Sequence, residues 1–511
     1  MTQLRTISHL IDGKPAAGTS TRTGPVYDPA TGAQQAEVLL ANAADVDDAV
    51  ASAVAAAAAW RTSSLATRQK VMFAARELIL RRRDEIAEAI TAEHGKVLAD
   101  AAGEVQRGLE VVEFACGIPH LLKGGFSEGV STGVDVYSIR QPLGVAAVIS
   151  PFNFPSMVPL WFVPVAIACG NAVVLKPSEK DPTAAVLIAQ AFLDAGLPPG
   201  VLNVVHGDKE AVDRLLEHPD VDSVSFVGST PIARYVYETG TRNGKRVQAL
   251  GGAKNHMIVL PDADLALAAD AAVNAGFGSA GERCMAISAL VAVDPIGDEL
   301  VAKIKERIGA LRTGDGRRGC DMGPLVTQAH RDKVASYLDA GVEAGATLVA
   351  DGRDVQPDAD GSGFFLGPTL FDHVTPSMSV YTDEIFGPVL SVVTWSKSVG
   401  SSQKPPSSPS TSMSRPSTTR VAPAAEPAST YDRTLSRCTP VTSGPMSVPR
   451  RPSPVFSDGM RSAIFATSSS PIGSTARTTE IAMHRSPAEP NPALTAWSAA
   501  RSRSASGRTS M

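Results

Sequence analysis

Along the first four fifths of the chain, hydrophobic and polar residues alternate with the periods of helices and buried strands. Residues 44–60 predict an amphipathic helix, because large apolar side chains recur near one face: Val46, Val50, Val54 and Trp60. Residues 68–94 keep the same period up to Gly95, a residue type that commonly ends helices, and predict one longer helix. Residues 99–116 predict another.

Short apolar runs then alternate with amphipathic segments. The predicted elements are strands at 145–150, 172–175, 201–205 and 223–227 and helices at 156–169, 182–194, 209–217 and 231–239. This alternation is typical of βαβ units, which build a parallel sheet covered by helices. A second region of mixed elements starts after Gly251, with a strand at 257–260, and continues to about Val393. The sequence therefore predicts an α/β fold.

The periodicity ends at about Trp395, where the composition also changes. Ser, Thr and Pro make up 53 of the 111 residues from Ser401 onward. Basic residues exceed acidic ones there by 8, whereas residues 1–400 carry an excess of 13 acidic residues. Such a composition cannot bury enough apolar surface to offset the entropy that a chain loses on folding. Residues 395–511 are therefore predicted to be a low-complexity, largely disordered tail.

The composition of the whole chain excludes several classes of protein. The 511 residues are 43% hydrophobic with a net charge of −5, unlike a disordered chain, a collagen or a uniformly basic nucleic-acid binder. The 5 cysteines form no CxxC pair, so neither a disulfide framework nor a metal site is predicted. The N-terminus lacks a signal-peptide core, and the most apolar stretch, 157–170, is too short to span a bilayer. We therefore expect a cytoplasmic protein whose partners include neither nucleic acid nor a membrane.

Three polar groups follow strands of the predicted parallel sheet, at the edge where such sheets bind ligands. They are SPFNFP after the strand ending at Ser150, KPSE after the strand ending at Leu175, and GST after the strand ending at Val227. Each has an ordinary alternative: Lys176 as a solvated lysine, or Gly228 and Ser229 as a turn and helix cap. Together they indicate a cofactor cleft, in which the N–H groups of the helix after Ser229 would suit a pyrophosphate.

Cys284, in GSAGERCMA, is the candidate nucleophile. A lone cysteine is usually a small buried hydrophobic residue. Here glycines precede it and Arg283 adjoins it, so we expect an irregular, electropositive segment that favours the thiolate. Asn153 is either a turn residue or an amide donor to an oxyanion, and Glu384 is either a loop carboxylate or a ribose contact.

Six motifs together resemble those of the aldehyde dehydrogenase superfamily, in the same order: PFNFP (151–155), KPSE (176–179), FVGST (226–230), LGGAKNH (250–256), GERC (281–284) and EIFGPV (384–389). The resemblance covers the chain from about Ile7 to about Val393. It implies three parts: a NAD-binding domain (1–120 and 141–250), an oligomerisation hairpin (121–140) and a catalytic domain (251–394) that is shorter than in the family. It also implies a homodimer or homotetramer, although the tail lacks the family's terminal strand.

The resemblance further implies the chemistry of an aldehyde substrate. Cys284 would attack the carbonyl, the Asn153 amide would hold the oxyanion, and hydride transfer to the nicotinamide would leave a thioester. The residues expected to bind the cofactor are Ser150, Phe152, Lys176, Glu179, Gly228, Ser229, Glu384 and Phe386. Glu179 suits the free hydroxyls of an adenosine ribose and would repel a 2′-phosphate, which favours NAD over NADP.

One position departs from the pattern of the hydrolytic members of the superfamily. They have a glutamate before Leu-Gly-Gly as the base that activates water, and this chain has Ala249. Without that base a thiol has to release the acyl group, and coenzyme A is the expected co-substrate. The motifs resemble most the CoA-acylating methylmalonate-semialdehyde dehydrogenases, which form propionyl-CoA or acetyl-CoA. Arg107, unless it lies on a solvated helix face, and Arg283 are expected to bind the substrate carboxylate.

Other functions remain open on the sequence alone. The chain would be hydrolytic if another residue served as base, or an inactive homologue because of its C-terminus. Nucleic-acid binding by the basic tail is disfavoured, because the tail lacks interleaved aromatic residues. The abrupt change near codon 394 also raises the hypothesis that the reading frame shifts there, so that the last residues, about 118 of them, are translated out of frame.

Overall fold

The structure is a computed structural model that describes residues 4–360 and 362–396. The strands of this part of the chain are β1 (Arg5–Ile7), β2 (His9–Ile11), β3 (Lys14–Ala16), β4 (Thr23–Tyr27), β5 (Gln34–Leu39), β6 (Phe126–Ser131), β7 (Val134–Tyr137), β8 (Val145–Ile149), β9 (Ala172–Lys176), β10 (Leu202–Val204), β11 (Val221–Val227), β12 (Arg246–Leu250), β13 (Asn255–Val259), β14 (Ile287–Val293), β15 (Thr347–Ala350), β16 (Thr369–Asp372) and β17 (Val389–Trp395). The helices are α1 (Ala43–Trp60), α2 (Leu65–Arg81), α3 (Arg83–His94), α4 (Leu98–Cys116), α5 (Ile118–Leu121), α6 (Met157–Ala168), α7 (Thr183–Asp194), α8 (Lys209–Glu217), α9 (Thr230–Arg242), α10 (Leu265–Phe277), α11 (Gly297–Ala310), α12 (Gln328–Glu343) and α13 (Ser379–Thr382). The predicted α/β class is confirmed.

The largest sheet of the described residues has the strand order β12-β11-β8-β9-β10-β2-β3. The strands from β12 to β10 run parallel, and β2 joins β10 in the antiparallel direction. Successive side chains of β8 enter two separate cores: Ala146 and Val148 on one face, Ala147 and Ile149 on the other. A strand buried on both faces has no polar side, which explains its continuous apolar run in the sequence.

A second sheet lies in the later part of the chain, with the order β13-β14-β17-β16-β15 in the described residues. Its middle strands are parallel, and β15 runs antiparallel to β16. A separate core of buried side chains packs around its strands and includes the fully buried Leu290, Leu390 and Phe371. A small sheet of β1, β5 and β4 completes the N-terminal part.

The strands β6 and β7 form a hairpin within the segment 121–140. All of their residues are exposed, and the apolar side chains among them are Phe126, Val130, Val134, Val136 and Tyr137. The expected role of this hairpin in oligomerisation stays a prediction, as do the predicted domain boundaries.

Two predictions about the helices were wrong. The segment 68–94 is two helices that meet at Arg82, whose ψ of 10° bends the chain. The apolar period continues across the bend, because Ile79 and Ile86 are both buried, so the sequence pattern carries no sign of it. Val54 is exposed rather than buried, because Ala53 and Ala57 occupy the buried face of α1.

No helix among residues 4–360 and 362–396 is long and apolar enough to cross a membrane. The predicted tail lies outside the described residues from position 397 onward.

Candidate active site

Lys176 and Glu179 lie together where β9 ends, at the carboxyl edge of the large sheet. The Lys176 ammonium donates a hydrogen bond to the Gly207 carbonyl at 2.9 Å and lies 3.5 Å from the Glu179 carboxylate. Burial lowers the pKa of Lys176, and the charge of Glu179 opposes this shift. Glu179 is about two-fifths exposed, whereas the Lys176 ammonium beside it is buried, so a donor and an acceptor lie next to each other at the end of β9. This pair fits the hydroxyls of a ribose.

Ser229 caps the N-terminus of α9, directly after β11. Its own side chain makes no capping hydrogen bond in the described structure, so it leaves the N–H groups of Thr230 and Ile232 to an anion, and Pro231 between them has none. A Cβ at Gly228 would clash with the tip of the Phe226 ring, so a larger residue here would have to displace that buried ring.

Ser150 follows β8 at the same edge, between the ends of β9 and β11. Its hydroxyl is buried without a hydrogen-bond partner among the described residues. A buried polar atom without a partner is costly, and a bound ligand would satisfy it. The residues at this edge therefore fit a dinucleotide.

Cys284 ends the segment 278–284, which we call the cysteine loop. Three consecutive residues of the loop have left-handed φ angles: Ser279 at 49°, Ala280 at 52° and Gly281 at 72°. Cys284 is half-buried against the core of the large sheet, and the Asn255 amide donates a hydrogen bond to its carbonyl at 2.9 Å.

The expectation of an electropositive segment around Cys284 was wrong. Burial raises the pKa of the Cys284 thiol; hydrogen bonds from its own N–H and that of Met285 oppose the shift, and the nearby charge of Glu384 adds to it. The neighbouring Arg283 does not compensate, because its guanidinium forms an ion pair with Asp100 at 2.7 Å.

Asn153 is buried in the segment 151–156, which we call the asparagine loop and which connects β8 to α6. The Phe152 ring meets the Phe386 ring edge-on, with ring centroids 5.8 Å apart. The Glu384 carboxylate accepts a hydrogen bond from the Ala253 N–H at 3.2 Å. Three segments that are far apart in the sequence therefore contact one another: the asparagine loop, residues 250–256 and residues 384–389.

The two arginines expected to bind substrate have different surroundings. Arg107 is exposed on α4, and its Nη1 lies 3.3 Å from the sulfur of Met285, the residue after Cys284. Arg283 is largely buried and paired with Asp100. Ala249 is in β12, opposite Phe226 of β11.

Several buried charged residues near the two loops were missed from the sequence. Lys96 and Glu104 form a fully buried ion pair at 2.7 Å. Glu282 lies between two imidazoles, 3.6 Å from His94 and 3.5 Å from His330, and burial raises the pKa of its carboxyl to about 8. A signal for Glu104 exists in the sequence: it falls on the apolar face of a predicted helix, next to Val105 and one turn from Ala101.

Comparison with known proteins agrees with this geometry. The aldehyde dehydrogenase family profile matches residues 16–399. The chain therefore belongs to the aldehyde dehydrogenase family.

The names of individual relatives specify a substrate, which the family name does not. A malonate-semialdehyde dehydrogenase of Pseudomonas aeruginosa is 54% identical over 390 residues, which are 76% of this chain and 78% of the relative. Malonate-semialdehyde dehydrogenase 3 of Geobacillus kaustophilus is 50% identical over 394 residues, 77% of this chain and 81% of the relative.

Among solved structures, one described as a methylmalonate-semialdehyde dehydrogenase of Sinorhizobium meliloti, complexed with NAD, is 52% identical with a TM-score of 0.76. The match covers 77% of this chain and 81% of that one. A methylmalonate-semialdehyde dehydrogenase of Oceanimonas doudoroffii is 51% identical, with the same TM-score of 0.76 and the same coverage, 77% and 81%.

Proposed function

We propose that this protein is an NAD-dependent, CoA-acylating dehydrogenase of malonate semialdehyde and methylmalonate semialdehyde. The observation that carries the proposal is the meeting of the cysteine loop, the asparagine loop and residues 384–389 at the ligand-binding edge of a parallel sheet. The names of relatives at about 50% identity support this substrate class. The expected location is the cytoplasm, and the expected assembly is a homodimer or homotetramer.

The residues for cofactor binding are those of the sheet edge. Lys176 and Glu179 bind the adenosine ribose, Gly228 and Ser229 the pyrophosphate, and Ser150, Phe152, Glu384 and Phe386 the nicotinamide half. Glu179 disfavours a 2′-phosphate by charge repulsion, which selects NAD. When bound, NAD supplies the hydride acceptor.

Cys284 is the nucleophile, and it acts as a thiolate. Its sulfur attacks the aldehyde carbonyl carbon, which places a negative charge on the former carbonyl oxygen. The Asn153 amide and the Cys284 backbone N–H donate hydrogen bonds to this oxygen. Burial raises the pKa of the free thiol, so the environment of Cys284 disfavours the thiolate that the attack requires.

Release of the acyl group from Cys284 requires a second nucleophile. Ala249 supplies no carboxylate to activate water, so the thiol of coenzyme A attacks the thioester carbonyl and the Cys284 thiolate leaves. The substrate also loses its carboxylate as carbon dioxide, giving acetyl-CoA or propionyl-CoA. Arg107 and Arg283 hold this carboxylate before it leaves.

The test is NADH formation from malonate semialdehyde with and without coenzyme A. We expect steady-state turnover only with coenzyme A, and none in a Cys284→Ala variant. Cys116→Ala, at a buried cysteine of α4, is the control and keeps its activity. Equal rates without coenzyme A would instead identify a hydrolytic enzyme.

An inactive homologue is the second candidate, because the family match ends at residue 399 of 511. Two measurements test this candidate without knowledge of the substrate. Titration with NAD reports whether the cofactor binds, and alkylation by iodoacetamide reports whether Cys284 is reactive. NAD binding without turnover on any semialdehyde supports the inactive homologue.

A further inference from the structure

Helix α4 carries charged residues at two successive turns of one face, Asp100 and Glu104. A single oxygen of the Asp100 carboxylate accepts hydrogen bonds from the Ser279 N–H at 3.0 Å, the Ser279 hydroxyl at 3.2 Å and the Arg283 guanidinium at 2.7 Å. Asp100 therefore holds both ends of the cysteine loop.

The conformation of the cysteine loop explains why it needs such a contact. Ser279 and Ala280 adopt left-handed φ angles, which are unfavourable for residues that carry a Cβ. Such a conformation persists only where the surroundings impose it. On the opposite side, a Cβ at Gly281 would lie 2.2 Å from the Gly387 carbonyl oxygen, so the loop is enclosed between α4 and residues 384–389.

Glu104 makes the equivalent contacts with the asparagine loop. One of its oxygens accepts hydrogen bonds from the N–H groups of Ser156 at 2.8 Å and Met157 at 3.1 Å. The other accepts from Lys96 at 2.7 Å, and the Lys96 ammonium also donates to the Asn153 carbonyl at 2.6 Å. All of these groups are buried, and the two charges neutralise each other.

We propose that Asp100 and Glu104 are positioning residues that set the distance between the Cys284 thiol and the Asn153 amide. The two carboxylates are one turn apart on a helix, so their separation is fixed by a rigid element. Each holds the main chain of one loop, and neither needs to touch the substrate. The catalytic meaning of this arrangement rests on the proposed function.

The decisive variants are Asp100→Ala and Asp100→Asn. An asparagine oxygen still accepts the Ser279 hydrogen bonds, whereas alanine removes them. We expect Asp100→Ala to lower kcat by about 10- to 100-fold with little change in KM, and Asp100→Asn to recover a large part of this loss. Glu110→Gln, exposed on the same helix, is the matched control and keeps the parent kcat.

Glu104→Gln tests the second loop. It leaves Lys96 buried beside a neutral amide, so its melting temperature is measured first. If Glu104→Gln folds, we expect a fall in kcat. The double variant with Asp100→Ala should lose less than the product of the two single losses, because both substitutions act on one distance. If Glu104→Gln does not fold, the comparison of Asp100→Ala with Asp100→Asn decides the proposal.

Alkylation of Cys284 by iodoacetamide, read by mass spectrometry of its peptide, separates this proposal from the proposed function. Asp100→Ala should speed alkylation severalfold because the loop is released, and Asp100→Asn should not, even if the parent chain forms no NADH. The proposal is overturned if Asp100→Ala changes neither kcat nor alkylation. It is also overturned if Asp100→Ala raises KM only for substrates with a carboxylate, because Asp100 would then act through Arg283 on the substrate.

Discussion

The reactive state of Cys284 depends on its immediate neighbours rather than on the residue type. Burial withdraws the thiol from water, and the Glu384 carboxylate places a like charge near it. Both disfavour the thiolate. The sequence located the cysteine through the glycines before it, but the sign of the pKa shift is set first by burial, which the local sequence does not show. The charge of the adjacent Arg283 is paired with Asp100, 183 positions away.

Replacing Glu384 tests this electrostatic account of Cys284. Glu384→Gln removes the like charge, so the pKa of the thiol falls and more thiolate is present at pH 8. We expect faster alkylation of Cys284 by iodoacetamide and a shift of its pH–rate profile to lower pH, measured without substrate. Glu306→Gln, exposed on α11, is the control. A profile unmoved by Glu384→Gln would mean that burial alone sets the pKa.

Arg107 is the residue best placed to recognise a substrate carboxylate. It is exposed, and its guanidinium lies beside Met285, one residue from the nucleophile. Arg107→Ala should raise KM for methylmalonate semialdehyde about 10-fold or more, since an arginine–carboxylate hydrogen bond contributes roughly 1.5–3 kcal/mol. KM for propanal, which has no carboxylate, should not change. The neighbouring Gln106→Ala is the control, and equal effects on both aldehydes would contradict this role.

At the scale of elements, the sequence predicted those strands and helices that have a periodic pattern of apolar residues. The alternation from β8 to α9 and the positions of the polar motifs after β8, β9 and β11 were correct, because buried strands and amphipathic helices have distinct patterns. Two groups of contacts that hold the loops of the site were missed. The turn at Ser279 is stabilised by a distant helix and leaves no periodic signal. Glu104 does interrupt the apolar face of α4, but its partner Lys96 lies outside that helix, so the periodicity does not reveal the ion pair.

The cysteine loop provides an element-scale prediction at Gly281. Its φ of 72° disfavours any residue with a Cβ, and that Cβ would lie 2.2 Å from the Gly387 oxygen. Gly281→Ala should lower the free energy of unfolding by at least about 1–2 kcal/mol, seen as a lower melting temperature, and should also lower kcat. Gly309→Ala is the matched control: it lies in α11 with open space around it, so we expect no destabilisation. Equal melting temperatures for the two variants would contradict the contact.

At the scale of the whole molecule, buried ionisable groups make the free energy of unfolding depend on pH. Some of them lower it in acid and one lowers it in base, so it is highest at an intermediate pH. Burial lowers the pKa of His94 and His206, so these groups destabilise the fold as the pH falls below the histidine value of 6.5. Glu282 acts in the opposite direction: its pKa rises from 4.5 to about 8, so the folded state binds the extra proton and stability falls as the pH rises through that window.

Glu282→Gln isolates the second effect. Glutamine keeps the shape of the side chain but does not ionise, so the variant loses no stability between pH 4.5 and 8 at this position. The melting temperature of the variant minus that of the parent should therefore increase steadily from pH 5 to pH 8. Glu110→Gln should show a constant difference over the same range. If the difference in melting temperature between Glu282→Gln and the parent does not change from pH 5 to pH 8, the Glu282 carboxyl is already ionised in the folded protein.

The last prediction concerns the continuity of the gene. The strand β17 lies inside its sheet, between β14 and β16, and the family match ends at residue 399, only four residues after this strand. The region matched by this chain covers 78% or 81% of the length of the relatives. At that point the composition of this chain turns rich in Ser, Thr and Pro and its charge reverses. A shifted reading frame explains all three changes with one event. We therefore expect another frame downstream of codon 394 to encode aldehyde dehydrogenase sequence, and resequencing to find an inserted or deleted nucleotide. An uninterrupted frame with no family-like sequence in either alternative would refute the shift.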